Sequence, residues 1–113
     1  MQFNAYWVRI PNAYSPQARE GLREIKQYIS EELANPTAAA SITNKVIKDC
    51  SNLKSNPLLG AELKNKFDVD TDMRYLISTN YIAFYRIIDN DIRVIRIRDG
   101  RTNYLQLLFR DLQ

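Results

Sequence analysis

The chain has no histidine, a single cysteine and only three glycines, which stand apart from one another, among its 113 residues. Without histidine it lacks the commonest general base at neutral pH and the commonest nitrogen ligand for zinc. Cys50 has no partner for an internal disulfide; it falls on an apolar position of a predicted helix, where a buried thiol is expected. Isolated glycines exclude a phosphate-cradling loop, and no Ser/His/Asp or Cys/His set is present. No apolar run approaches eighteen residues, so no membrane span or membrane partner is expected. The opening MQFNAYWVRIPNAY lacks the basic-then-apolar profile of a secretion signal, which points to the cytoplasm. Asp68, Asp70 and Asp72 alternate as loop ligands can, but lack the glycine turn and terminal glutamate of a calcium loop. Neither metal nor cofactor is implied.

What the chain does have is arginine. The formal net charge is only +3, yet arginine outnumbers lysine ten to six and concentrates in the C-terminal half. Planar guanidinium groups favour bidentate contacts with carboxylate or phosphate, so an anionic partner is expected. The length fits one domain spanning residues 1–113, and 45% hydrophobic residues suffice for a core.

The order of elements can be read from punctuation and period. Ala5–Ile10 alternates as a first strand, closed by Pro11 and Asn12. Ser15-Pro16 is a helix start, followed by Leu22, Ile25, Ile29 and Leu33 at helical spacing. Asn35-Pro36 repeats the signal for a second helix, with Ala39, Ile42, Val46, Cys50 and Leu53 as its apolar stripe; the two form a helical hairpin. Pro57 and Gly60 end it, and Ala61–Thr71 reads as a loop with at most a short irregular strand. Three strands follow: Arg74–Ile77, Tyr81–Ile88 and Ile92–Arg98. Asp89-Asn90 suits a tight hairpin, and the second of these strands is apolar at nearly every position, which places it in the sheet centre. Thr102–Leu112 is expected to close the chain with a short helix. The fold class is α+β: an N-terminal strand and helical hairpin packed on an antiparallel sheet.

Alternation puts Arg96 and Arg98 on one face with Ile92 and Val94, and Arg93 on the other with Ile95 and Ile97. Arg86 and Arg96, flanked by core residues, read as structural ion-pair partners. Arg74, Arg98 and Arg101, near strand ends and the Gly100 corner, are the arginines to test for function. Tyr104 lies just past that corner, and Lys64 and Lys66 in the preceding loop can join the same site. Such a set can stabilise a pentacovalent phosphate while a tyrosine or lysine transfers a proton, or it can be a docking patch.

The N-terminal strand, the helical hairpin with its Asn-Pro break (NPTAAASI), the Asn56-Pro57…Gly60 turn and RYLISTNYIAFYRI…IRVIRIRDGRTNY…LLF together resemble the RelE/ParE superfamily of bacterial type II toxin–antitoxin modules. The resemblance spans Ala5 to Phe109. It implies a toxin held in a hetero-oligomer by a cognate antitoxin, whose wrapping segment suits an arginine-rich surface. RelE-like members cut mRNA at the ribosome, and for that branch the resemblance implies roles for Arg74, Arg101 and Tyr104. ParE-like members bind DNA gyrase. Ile82 stands where the nuclease branch carries a catalytic arginine, and Arg96-Ile97…Gly100-Arg101…Asn103-Tyr104 resembles the ParE-type ending. Binding roles at Arg98, Lys64 and Lys66 are the expectation for either branch.

Overall fold

A computed structural model of the chain describes residues 13–67 and 70–100. The expected strand Ala5–Ile10 and closing helix Thr102–Leu112 lie outside the described residues, as do Asp68, Arg101 and Tyr104. Helix α1 (Pro16–Gln27) begins where Ser15 Oγ accepts from Ala18 N at 3.0 Å, with proline in the first turn. The same hydroxyl donates to Ile95 O at 2.6 Å, so the cap also ties the helix to the sheet. Helix α2 (Pro36–Ser51) repeats the device: Asn35 Oδ1 accepts from Ala38 N at 3.1 Å. Between them Ala34 turns the chain at φ 50°.

One residue of the expected α1 stripe is displaced. After Gln27 the helix widens into a π turn, Tyr28–Glu32, in which Leu33 N donates to Tyr28 O at 3.2 Å. The extra residue in that turn rotates Leu33 off the apolar stripe and leaves it 57% exposed, while Leu22, Ile25 and Ile29 stay buried. In α2, Ile42 is only partly buried and Thr43 takes a fully buried place, its Oγ1 donating to Ala39 O at 2.7 Å.

The region expected as a loop instead holds the two-residue edge strand β1 (Ala61–Glu62) and a one-turn helix α3 (Leu63–Phe67). The strand forms because Ala61 and Glu62 pair with Tyr75 and Arg74, a long-range match that local composition does not reveal. Strands β2 (Arg74–Ser78), β3 (Tyr81–Ile88) and β4 (Asp91–Asp99) complete an antiparallel sheet ordered β1-β2-β3-β4. The β3–β4 turn carries φ 52° and 66° at Asp89 and Asn90, the left-handed pair of a tight hairpin. β3 lies between two partners, and Tyr81 through Tyr85 are all buried.

Two apolar clusters occupy the two faces of the sheet. The larger joins α1 and α2 to Tyr81, Ala83, Tyr85, Val94 and Ile97. Close contact is possible because Gly21 lacks a side chain: a Cβ there would sit 2.6 Å from Ile97 O. The smaller cluster gathers Leu63, Met73, Ile82 and Phe84 on the opposite face.

Candidate functional site

The positions of the arginines follow from a single irregularity in the β3–β4 ladder. Tyr85 pairs with Val94, but the preceding residue, Phe84, pairs with Arg96, so Ile95 is an extra residue on β4. A bulge of this kind reverses the alternation beyond it. Ile92, Val94 and Ile97 therefore all face the helices, and the expected grouping of Arg96 and Arg98 with Ile92 and Val94 is not what the chain forms. Arg96 and Arg98 lie opposite Phe84 and Ile82, and Arg93 lies opposite Arg86. All four arginines share the face away from the helical hairpin.

This face is an unusual place for so many cations. Arg86 and Arg93 are directly cross-strand, where like charges repel. Asp72 offsets one of them: its Oδ1 lies 3.0 Å from Arg86 Nε, although the angle is not that of a hydrogen bond. Arg93 and Arg98 have no ion pair among the described residues. Around them, Ile77 is 60% exposed and Tyr75 partly so, beside the buried Ile82 and Phe84. A cluster of arginines beside an exposed isoleucine has the composition of a docking surface for an anionic, partly apolar chain.

Arg74 is placed differently. It pairs with Tyr85 on the helix-facing side, and its side chain is only 15% exposed. Its Nη2 donates to Gly60 O at 2.6 Å and its Nε to Tyr85 Oη at 3.3 Å. Tyr85 Oη in turn donates to Pro57 O at 2.7 Å and accepts from Gly60 N at 3.1 Å. This knot fastens the turn after α2 to the sheet. Gly60 is required there, since a Cβ would lie 2.4 Å from Tyr75 O. Glu62 lies near both Arg74 (4.0 Å) and Lys64 (3.4 Å), so these two expected site residues share one carboxylate. Lys66 sits further along α3.

The residues expected to form one site are thus divided. Arg74 and Lys64 stand at the β1–β2 end, and Arg98 is on β4, across the central strand and on the other face. Arg98 also borders a cleft of about 250 Å³ between α1 and the end of β4, walled by Tyr28, Ile25 and Tyr81. Sequence reasoning missed the Tyr85 hydroxyl as a hub, although a tyrosine within an otherwise apolar buried strand is a signal that its oxygen has partners.

Two buried groups lie elsewhere. Burial pushes the Cys50 thiol up to about 11 and the Tyr14 phenol far above its usual range. A thiol so shifted is a poor nucleophile. Among the described residues no three acidic or thiol side chains converge to hold a metal ion, and no helix is long and apolar enough to cross a membrane.

The family model described as the ParE toxin of the type II toxin–antitoxin system, parDE, matches residues 13–104. Among solved structures, a chain of the chromosomal ParDE toxin–antitoxin system from P. aeruginosa shares the fold with a TM-score of 0.64. It is 19% identical, with 76% of this chain and 90% of that chain covered. No curated protein matches the chain. The α+β architecture, with helices on a four-stranded antiparallel sheet, agrees with that likeness, and the family match spans α1 through the Gly100 corner. The chain belongs to the ParE toxin family and is the toxin component of a type II toxin–antitoxin module, with an antitoxin as its partner.

Proposed function

We propose that this toxin arrests growth in the cytoplasm by binding DNA gyrase, and that an acidic, partly apolar segment of its antitoxin neutralises it from the arginine face of the sheet. The family match over residues 13–104 carries the gyrase reading. Two features of the fold support it over ribosome-dependent mRNA cleavage. Ile82, at the position where the nuclease branch carries an arginine, is 6% exposed within the smaller apolar cluster. The Arg74 guanidinium is hydrogen-bonded to the turn it anchors, which leaves little of it to stabilise a phosphate.

Antitoxin docking is supported by the charge pattern. Four arginines on one face, one of them paired with Asp72, produce a field that attracts an acidic chain and accelerates encounter. Arg98, with Lys64 at the other end of the sheet, extends the basic rim along which such a segment can wrap; Lys66 is proposed as a further contact of that segment.

Purified toxin added to gyrase supercoiling reactions tests the target. Inhibition that antitoxin reverses is the expected result. Intact supercoiling together with transcript cuts at ribosome-occupied codons would overturn it. In that case Arg74→Ala, Arg101→Ala and Tyr104→Phe become the variants that should abolish arrest.

A further inference from the structure

The most exposed large apolar side chain among the described residues, Leu58 at 68%, stands next to Leu59 at 50%, both on the 3-10 turn Pro57–Leu59. A lone exposed leucine is ordinary at a surface, but an adjacent pair adds nothing to the fold. The backbone beneath the pair is nonetheless firmly held. Tyr85 Oη, on a fully buried side chain, donates to Pro57 O and accepts from Gly60 N. Arg74 Nη2 donates to Gly60 O and, at 3.4 Å, to Leu58 O. Leu59 N donates to Asn56 O at 3.1 Å, and the Pro57 ring sets the backbone angle at the start of the turn. A core tyrosine and an arginine largely withdrawn from water thus immobilise a turn that presents two leucines to solvent. Fixing apolar side chains in advance lowers the entropy lost when they are buried against a partner.

The surroundings define the partner's chemistry. Lys54, Ser55 and Asn56 are exposed just before the turn, and beyond it Lys64 and Arg74 share the carboxylate of Glu62. Three cations against one carboxylate leave the surface around the leucines positive. A raised, rigid point fits a concave surface, whereas a wrapping segment runs along faces and grooves. We propose that the Leu58–Leu59 turn is the point by which the toxin engages its target protein, entering an apolar pocket rimmed by carboxylates. The target's identity as gyrase rests on the proposed function; the contact itself does not. The arginine face remains the seat of the antitoxin, whose segment reaches this end of the sheet at Lys64 and shields the turn from the target.

The full chain carrying Leu58→Ser and Leu59→Ser, titrated into gyrase supercoiling reactions beside the parent, tests the contact. Inhibition should weaken about thirtyfold, because two apolar side chains no longer leave water on binding. Antitoxin affinity by calorimetry should stay within about threefold and thermal melting close to the parent's, as both positions are exposed. Leu58→Met with Leu59→Met should keep the parent's potency. Lys54→Glu should weaken inhibition about fivefold, and less in high salt, as a carboxylate then meets carboxylates. Leu58→Ser alone, with about a fivefold loss expected, serves if the double variant does not fold. Undiminished inhibition by the serine variants overturns the proposal, as does a methionine pair as weak as the serine pair, or undiminished inhibition by Lys54→Glu. Antitoxin affinity that falls together with inhibition overturns it too, because the leucines then belong to the antitoxin's seat. If the parent itself leaves supercoiling intact, the gyrase reading fails separately and growth arrest on expression becomes the readout. Arrest lost in the serine variant and retained in the methionine variant then supports the turn, and arrest by both overturns it.

Discussion

The two faces of the sheet are built from the same strands and have opposite characters. Facing the helical hairpin, Tyr81, Ala83, Tyr85, Val94 and Ile97 are closed off from water. The polar atoms on that side are wired: Tyr85 Oη to Pro57 and Gly60, and Ser78 Oγ to Asp49 at 2.7 Å. On the other face a cluster of four buried residues underlies Arg86, Arg93, Arg96 and Arg98, two of which directly oppose each other. Apart from Tyr14 Oη, the first face is satisfied internally. The second carries a repulsion that folding alone does not reward, which is the pattern of a surface completed by an anionic partner.

Charge reversal on the second face gives the largest expected effect. Arg93→Glu combined with Arg98→Glu should weaken antitoxin binding at least about a hundredfold, roughly 3 kcal/mol. Thermal stability should stay near that of the parent, because neither side chain has an ion pair among the described residues. Titration calorimetry at two salt concentrations checks both the loss and its screening. Unaltered affinity would show that the two faces differ in composition without differing in use.

The converse change is on the helix-facing side. Tyr85→Phe removes one oxygen and leaves Gly60 N and Pro57 O without their partner in the interior. The expected cost is about 2 kcal/mol, or a Tm lower by roughly 10 °C, with antitoxin association hardly changed. Denaturant melts measure it. A shift below that of an ordinary surface substitution would mean the turn from Pro57 to Gly60 is held by Arg74 alone.

That contrast between faces was only half legible in the sequence. Both helix starts were, because Ser15-Pro16 and Asn35-Pro36 are local chemistry in which a side-chain oxygen meets the amide three residues on. So was the central position of Tyr81–Ile88, since a strand buried on both faces cannot alternate. The face of each arginine was not legible. It depends on Ile95 being an extra residue on β4, and a bulge belongs to a pair of strands, leaving no mark in either one. Leu33 was misplaced for a similar reason, as one residue added by a π turn moves everything after it. Local composition also makes Arg74 resemble the other arginines; only its partners across fourteen residues at Gly60 reveal an anchor. Tyr104 and Arg101 lie outside the described residues.

Register is what keeps the two faces distinct, so the β2–β3 turn offers a finer probe. Thr79 holds φ 55° there, a left-handed conformation that a β-branched residue adopts at a cost. Thr79→Asn, which tolerates that backbone, should stabilise the protein by about 0.5–1 kcal/mol without changing antitoxin affinity. Gly100 N donates to Asn80 O at 2.8 Å, so the turn is already fixed from outside and should keep its register. A loss of stability would show that the Thr79 side chain contributes more than its backbone strain removes.

The smallest expected effect concerns Asp49, a carboxylate wired into the helix-facing side. Burial works to raise the Asp49 carboxyl, but hydrogen bonds from Lys45 and Ser78, with the nearby charges of Lys45 and Lys48, outweigh it and hold the group below its ordinary value of 3.8. A carboxylate depressed on folding stabilises the native state above its unfolded value, and that stabilisation disappears as pH falls through the lower folded value. Asp49→Asn should therefore lie slightly below the parent in Tm at pH 6, and the two should converge as pH is lowered from about 4 toward 2. Asp49 keeps contact with solvent along part of its side chain, so the gap should be smaller than any change above and should shrink further in salt. A gap that stays constant over that range would mean that Ser78 Oγ is held by geometry rather than by charge. The helix-facing side would then owe nothing to ionisation, and electrostatics would be a property of the arginine face alone.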